Sequence, residues 1–107
     1  MKTQPAVFFD RDGTLNEDTG YPAHISQIHI YPCAFEAVRK ARSAGFAAVV
    51  ISSQSGVGRG FFTEAAVAAL HGAYAAIFGS AGARLDAIYY WAPWLDDPAK
   101  AGCRPGD

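Results

Sequence analysis

Short apolar runs occur at three places along the chain, and each is followed by a polar segment. They predict three β-strands, over residues 6–9, 46–52 and 85–90. The middle run is apolar almost without interruption, which is typical of a strand that is buried on both faces. The chain is therefore expected to build a sheet from strands that lie well apart in sequence.

Two segments between these runs have helical spacing. Pro32 fits the first position of a helix that ends near Gly45. Thr63 fits the N-cap of an alanine-rich helix that runs to about Phe78. The order β-loop-α-β-loop-α-β predicts parallel strands joined by right-handed crossovers. The expected fold class is α/β, a three-layer Rossmann-like domain with a parallel sheet, and the tail over residues 91–107 is expected to be irregular.

Composition narrows the class of protein. The 107 residues leave room for a single domain over residues 1–107, and half of them are hydrophobic, which argues against disorder. The net charge of −1 makes nucleic acid and anionic membranes poor partners. The apolar runs are too short to span a bilayer, and the N-terminus does not resemble a secretory leader. Cys33 and Cys103 are distant in sequence and are expected as free thiols, which favours a cytoplasmic protein.

Two carboxylates follow the first predicted strand directly. Asp10 and Asp12 flank Arg11, and Gly13 supplies the backbone freedom that a sharp turn needs. In open α/β sheets, ligands bind at this carboxyl end of the strands. One carboxylate can attack a phosphorus atom while a second supplies a proton, and Mg²⁺ suits such oxygen donors. A calcium loop and a solvated turn are the rival interpretations, although a calcium loop needs glycine at its sixth position, where this chain has Leu15.

A second polar loop follows the middle strand. Its sequence is Ser52-Ser53-Gln54-Ser55-Gly56. Hydroxyls and backbone amides of this kind can hold phosphate oxygens, and Arg59 could add a positive charge. Serine and glycine are ordinary loop residues, so the composition alone is a weak signal. The position is more informative, because loops that follow adjacent parallel strands open on the same edge of the sheet.

The motifs together resemble a known family. The segment 9–16, Phe-Asp-Arg-Asp-Gly-Thr-Leu-Asn, is similar to the first motif of the haloacid dehalogenase-like phosphatases. Further matches to the heptose bisphosphate and histidinol phosphate phosphatase branch are Gly20-Tyr21-Pro22, Gln54-Ser55-Gly56, Arg59-Gly60 and Phe62-Thr63-Glu64. The resemblance covers about residues 6–90, most of the chain.

This resemblance implies a role for each matching position. Asp10 would be the nucleophile and a magnesium ligand, and Asp12 the general acid and base, with its backbone carbonyl facing the metal. Ser52 would bind the transferred phosphate. The other implied substrate-site residues are Asp18, Thr19, Gly20, Tyr21, Ser53, Gln54, Ser55 and Arg104. Ser53 departs from the asparagine usual in the family, and a hydroxyl cannot offer the two donors of an amide.

The later part of the chain departs further from the family pattern. The heptose branch binds zinc through cysteines and histidines that follow its Tyr-Tyr strand, whereas Tyr89-Tyr90 are followed here by Trp-Ala-Pro-Trp. Cys103 alone cannot form a zinc site, so no zinc is predicted. The family's later lysine and acidic motifs are also missing, so the domain is expected to be truncated after its third strand. His24, His29 and His71 are expected to be surface or loop residues.

The predicted function is hydrolysis of a small phosphorylated substrate in carbohydrate metabolism. The resemblance implies a magnesium-dependent phosphatase that forms an aspartyl phosphate and acts on a heptose bisphosphate-like sugar, with histidinol phosphate as the second substrate. The missing motifs predict impaired activity. The alternative is an inactive, fragmentary protein that binds phosphorylated ligands or a partner. Without a fourth family strand beside it, the first strand would also present an unpaired edge that invites self-association.

Overall fold

The chain folds around one four-stranded sheet. The computed structural model describes residues 3–18, 20, 22, 24–54, 60, 61, 63–91 and, by their backbone, 92 and 102–105. The elements in chain order are β1 (Ala6–Asp10), a 3₁₀ turn (Ile25–Gln27), α1 (Pro32–Ser43), β2 (Ala47–Ser53), α2 (Glu64–Ser80), β3 (Ala87–Ala92) and β4 (Gly102–Pro105). The three predicted strands and two predicted helices are all present, with ends that differ by at most two residues.

The sheet has the strand order β1-β2-β3-β4. The first two pairings are parallel, with Phe9 opposite Val50 and Val50 opposite Ile88. The predicted parallel α/β arrangement is therefore confirmed for the first three strands. β4 pairs antiparallel with β3, within the tail that was expected to be irregular. Its short sequence has no alternating pattern, and the pairing depends on the free edge that β3 offers.

Both helices begin where their first residues predict. Pro32 occupies the first turn of α1, and Gly45 follows its end with a φ of 91° that favours glycine. The Thr63 hydroxyl caps α2 by accepting a hydrogen bond from the backbone N–H of Ala66 at 3.1 Å. Within the described part of the chain, no helix combines the length and apolar character that a membrane crossing requires.

The main hydrophobic core lies on one face of the sheet. Val38 of α1 and Tyr74 and Phe78 of α2 pack in one cluster with Val50 and Ile88 of the sheet. All five side chains are buried. The two described α-helices therefore cover the same face of the sheet.

The opposite face is open among the described residues. Phe8 is 64% exposed, Ile51 43% and Trp91 48%. The prediction that β2 is buried on both faces is wrong at Ile51, because no described helix packs on that side. The described residues likewise supply two layers of the expected three. β1 is an edge strand among them, and self-association through it stays a prediction.

Candidate functional site

The turn after β1 is held compactly by its backbone. The carbonyl of Arg11 accepts hydrogen bonds from the N–H groups of Leu15 at 3.0 Å and Asn16 at 3.2 Å. Gly13 has a φ of 81°, a conformation that other residues adopt only with strain. Leu15 is 1% exposed and packs in the main core. The packing of Leu15 in the core and the hydrogen bonds to the Arg11 carbonyl therefore fix the position of the turn relative to β1.

A polar cavity of about 440 Å³ opens at the carboxyl ends of β1 and β2. It is lined by Asp10, Arg11, Asp12, Asp18, Gly20, Ser53 and Gln54. The structure thus brings together six of the residues singled out from the sequence and adds Arg11. The two loops meet at one edge, as expected for adjacent parallel strands.

A second, more apolar cavity of about 450 Å³ adjoins the first. It is lined by Asp10, Ile51, Ser52, Ser53, Tyr89, Tyr90 and Trp91. Asp10 and Ser53 belong to both cavities, so Asp10 lies between a polar compartment and an apolar one. Ser52 is buried and lines only the second of these two cavities.

Several predicted site residues cannot be placed in this geometry. Thr19, Tyr21, Ser55 and Arg59 lie outside the described residues. Arg104 is described by its backbone, which is opposite Tyr90 in the β3–β4 pairing. The roles predicted for these five residues stay predictions.

The carboxylate of Asp12 is held on two sides. Arg11 donates from Nε to Oδ1 at 3.0 Å and from Nη2 to Oδ2 at 2.9 Å. Asn16 donates from Nδ2 to the same Oδ1 at 3.0 Å. Each carboxylate oxygen has about two acceptor positions, so the donors among the described residues fill Oδ1 and leave one position on Oδ2. The side chain of Asp12 is 22% exposed and lines the polar cavity.

Arg11 is itself enclosed, with 1% of its surface exposed. Its Nη1 lies 2.9 Å from Nε2 of His71 on α2. With the Gln54 amide oriented to place Oε1 toward the guanidinium, Gln54 accepts from Nη1 at 3.2 Å and Nη2 at 3.1 Å. The single positive charge is thus surrounded by one carboxylate and two neutral acceptors.

The contact with Arg11 defines the protonation of His71. A guanidinium has donors and no acceptor, so Nε2 must accept and the ring proton resides on Nδ1. Burial, reinforced by the charge of Arg11, lowers the pKa of His71 from 6.5 to about 4, against the opposing attraction of Asp12. Both arguments give a neutral imidazole at pH 7. Its Nδ1 has no hydrogen-bond partner among the described residues.

Tyr74 orients the amide of Asn16. The hydroxyl of Tyr74 donates to Oδ1 of Asn16 at 2.9 Å, so Nδ2 is the atom that faces Asp12. Burial raises the pKa of Tyr74 well above its usual range, and this keeps the hydroxyl protonated. Two residues of α2, His71 and Tyr74, thereby support Asp12 through Arg11 and Asn16.

Sequence reasoning missed this support. His71 was expected at the surface or in a loop, and that expectation is wrong, because the side chain is fully buried on α2. His24 and His29 are exposed, as predicted. A usable signal existed in the helical spacing of buried residues, which are Val67, Leu70, His71, Tyr74 and Phe78. The two polar members of this stripe were candidates for an internal hydrogen-bond network.

The oxygen donors of this site fit Mg²⁺ better than a metal that needs a full protein cage. Asp10 is exposed, and its carboxylate has no hydrogen-bond partner within the described residues. No group of three or more His, Cys, Asp or Glu side chains that could hold a metal occurs there. Mg²⁺ typically takes one or two carboxylates and completes its shell with water and phosphate oxygens. The Asp10 carboxylate and the Asp12 backbone carbonyl are the donors that would suit it.

Comparison with known proteins gives consistent relatives. A D-glycero-beta-D-manno-heptose-1,7-bisphosphate 7-phosphatase of Mesorhizobium japonicum is 39% identical over 84 residues, which are 78% of this chain and 39% of the relative. A HAD-like phosphatase structure from Mesorhizobium loti superposes with a TM-score of 0.80 at 36% identity, over 89% of this chain and 46% of that one. No family model matches the sequence.

A second solved structure was determined with ligands. It is a D,D-heptose 1,7-bisphosphate phosphatase from B. bronchiseptica complexed with magnesium and phosphate, with a TM-score of 0.72 and 26% identity. The match covers 80% of this chain and 49% of that one. This chain therefore spans less than half the length of each of these three proteins.

Proposed function

The chain belongs by sequence and fold to the haloacid dehalogenase-like phosphatases, and from this premise we propose that it hydrolyses a phosphate monoester with the help of Mg²⁺. The observation that carries the proposal is the arrangement of Asp10 and Asp12 around one polar cavity. With respect to the described residues, the carboxylate of Asp10 has no hydrogen-bond partner, and that of Asp12 is fixed by three hydrogen bonds that leave one acceptor position on Oδ2.

The two carboxylates would divide the reaction between them. Asp12 would enter this step as the carboxylic acid, with its proton at the open position of Oδ2. An oxygen of Asp10 attacks phosphorus, the bond from phosphorus to the ester oxygen breaks, and the leaving alkoxide takes that proton from Oδ2 of Asp12. Water then attacks the aspartyl phosphate and gives a proton to the same Oδ2. The bond between phosphorus and Asp10 breaks, which releases phosphate and restores both side chains.

Charge balance supports a role for the metal. Three acidic residues line the cavity, Asp10, Asp12 and Asp18, and Arg11 is already paired with Asp12. A phosphate dianion would add negative charge to this group. Bound Mg²⁺ would supply the neutralisation, held by the Asp10 carboxylate and the Asp12 backbone carbonyl. Ser53 and Gln54 line the β2 side of the cavity and would orient the substrate from there.

We infer a sugar phosphate as the substrate class. The named relatives act on a heptose bisphosphate, and they match this chain over 84 residues in one case and over 80% of its length in the other. The apolar cavity beside Asp10 offers Tyr89 and Trp91 to the part of the substrate that does not react. Histidinol phosphate is the second substrate to test.

The decisive experiment compares the wild-type chain with Asp10→Asn and with the control Glu36→Gln, because Glu36 is an exposed acidic residue of α1 that lines neither cavity. Phosphate release from a heptose bisphosphate is measured with Mg²⁺ and again after chelation with EDTA. Asp10→Asn should lower the rate by about 1,000-fold or more, because the attacking oxygen is lost, and Glu36→Gln should retain most of it. Borohydride reduction of enzyme quenched during turnover should convert Asp10 to homoserine, which mass spectrometry locates.

Equal phosphate release by the wild type and Asp10→Asn would refute the proposal. Saturable binding of inorganic phosphate without hydrolysis would instead favour the alternative of a protein that binds phosphorylated ligands. Full activity after chelation would show that the reaction does not need Mg²⁺. The borohydride experiment would then still test whether Asp10 is the nucleophile.

A further inference from the structure

We propose that His71 is a positioning residue that acts through Arg11 to hold Asp12 for proton transfer. The inference rests on the proposed function for its catalytic consequence, and on the geometry of α2 for its structural part. His71 lies 60 residues from Arg11 in sequence, and the two side chains meet only because α2 packs over the turn that follows β1.

The first step is that Arg11 needs several acceptors at once. Its guanidinium is almost fully enclosed, and buried donors without partners are costly. Nε and Nη2 are directed at the two oxygens of Asp12, whereas Nη1 is directed at Nε2 of His71. The side-chain oxygen of Gln54 accepts hydrogen bonds from both Nη1 and Nη2. Removing the imidazole would leave Nη1 short of its second partner and allow the guanidinium to rotate.

The second step is that the acceptor on α2 should be neutral. An acidic side chain at position 71 would compete with Asp12 for the single positive charge of Arg11. A neutral imidazole accepts one hydrogen bond without that competition, so the ion pair with Asp12 keeps its two-point geometry. The low pKa of His71, about 4, keeps the ring in this neutral state at physiological pH.

The third step is that His71 is itself held rigidly. It lies on a helix whose neighbouring residues Leu70 and Tyr74 are buried. The ring of Tyr90 on β3 packs beside it, with centroids 6.0 Å apart at an interplanar angle of 50°. The position of the imidazole is thus determined by the core, and Arg11 transmits that position to Asp12. The outcome is that the open acceptor position on Oδ2 points in one direction.

The test uses two substitutions at position 71 and one control. His71→Gln keeps an acceptor that can reach Arg11, whereas His71→Leu removes the acceptor and keeps an apolar side chain. His29→Gln is the control, because His29 is exposed. For each protein, kcat and KM are measured, and the solvent exchange of the Arg11 Nε–H is followed by NMR. The ¹⁵N spectrum of the wild-type imidazole gives its tautomer.

We expect the wild-type spectrum to show His71 protonated on Nδ1 and unprotonated on Nε2. His71→Leu should lower kcat by about 10- to 100-fold with KM nearly unchanged, since misplacing a reacting group by about 1 Å has effects of that size. Its Arg11 Nε–H should exchange faster than in the wild type. His71→Gln should restore slow exchange and most of kcat, and His29→Gln should match the wild type.

A proton on Nε2 of His71 would overturn the proposal, and this result needs no variant to fold. Unchanged exchange and unchanged kcat in folded His71→Leu would also overturn it. If the wild type shows no turnover that depends on Asp10, the proposed function fails by itself. The exchange measurement then still decides whether His71 holds the Arg11–Asp12 pair.

Discussion

Asp10 and Asp12 are separated by one residue and lie in opposite environments. Asp10 ends β1 on the open side of the sheet and is exposed, and its carboxylate has no hydrogen-bond partner among the described residues. Asp12 lies in the turn, with three hydrogen bonds to its carboxylate from Arg11 and Asn16. Those two partners are in turn held by His71 and Tyr74. The Asp10 carboxylate is therefore exposed, and the Asp12 carboxylate is held by hydrogen bonds whose donors are themselves bound to residues of α2.

The difference gives two identical side chains the environments that their proposed tasks would need. A nucleophile needs unengaged oxygens, and the exposed Asp10 carboxylate has no hydrogen-bond partner among the described residues. A residue that exchanges protons with a leaving group needs a fixed direction, which the Arg11 pairing provides for Asp12. The first property comes from a position on an exposed strand end. The second requires contacts with a helix far along the chain.

Removing the Arg11 side chain should have the largest effect on stability, because Arg11 contacts Asp12, His71 and Gln54 at once. Arg11→Met is expected to lower the free energy of unfolding by about 3 kcal/mol, since acceptors on Asp12, His71 and Gln54 lose a charged partner. The partial exposure of Asp12 lets water compensate some of the loss. Urea denaturation at pH 7 measures the effect.

The matched control for this substitution is Arg84→Met. The Arg84 side chain is 73% exposed and lies 3.9 Å from Asp86, so its loss should change the stability by less than about 0.5 kcal/mol. Equal unfolding midpoints for the two variants would show that the buried ion pair does not differ from a surface contact.

Lowering the pH should decrease the free energy of unfolding, because His71 is kept neutral in the folded chain. The pKa of His71 is about 4 in the folded chain and 6.5 as the ordinary value. Between these values the unfolded chain binds a proton that the folded chain does not, so stability decreases as the pH falls from about 6.5 to about 4. The loss reaches about 3 kcal/mol at the lower end and is absent above pH 7.

Comparing wild type with His71→Gln isolates this contribution, because all other titrating groups are common to both proteins. The stability difference between the two should change with pH in favour of the variant as the solution becomes acidic. Parallel stability curves from pH 7 to pH 4 would mean that His71 is not kept neutral by the fold.

The smallest effect on stability should come from Asp10, although it carries the largest expected effect on activity. Asp10→Asn is expected to change the free energy of unfolding by less than about 0.5 kcal/mol, because an exposed carboxylate without a described partner contributes little. Urea denaturation of the variant used for the activity assay measures this directly. A loss of 2 kcal/mol or more would show that Asp10 has a structural role, which would contradict the contrast drawn between Asp10 and Asp12.

Local patterns in the sequence predicted much of the fold. The apolar runs located the three parallel strands, and Pro32 and Thr63 located the starts of both α-helices. Spacing of this kind is readable because each strand or helix must satisfy its own periodicity and its own ends. The pairing of β4 could not be read in the same way, because its four residues depend on the edge of β3.

The sequence by itself determined that Asp10 and Asp12 follow a β-strand and that a second polar loop opens on the same edge of the sheet. These are consequences of chain order and of parallel topology. Only the tertiary structure decided that Asp12 is held and Asp10 is free, because the deciding contacts join Arg11 to His71 and Asn16 to Tyr74 across about 60 residues. Periodicity along one segment places a side chain on a face. Which partner it meets depends on how distant segments pack together.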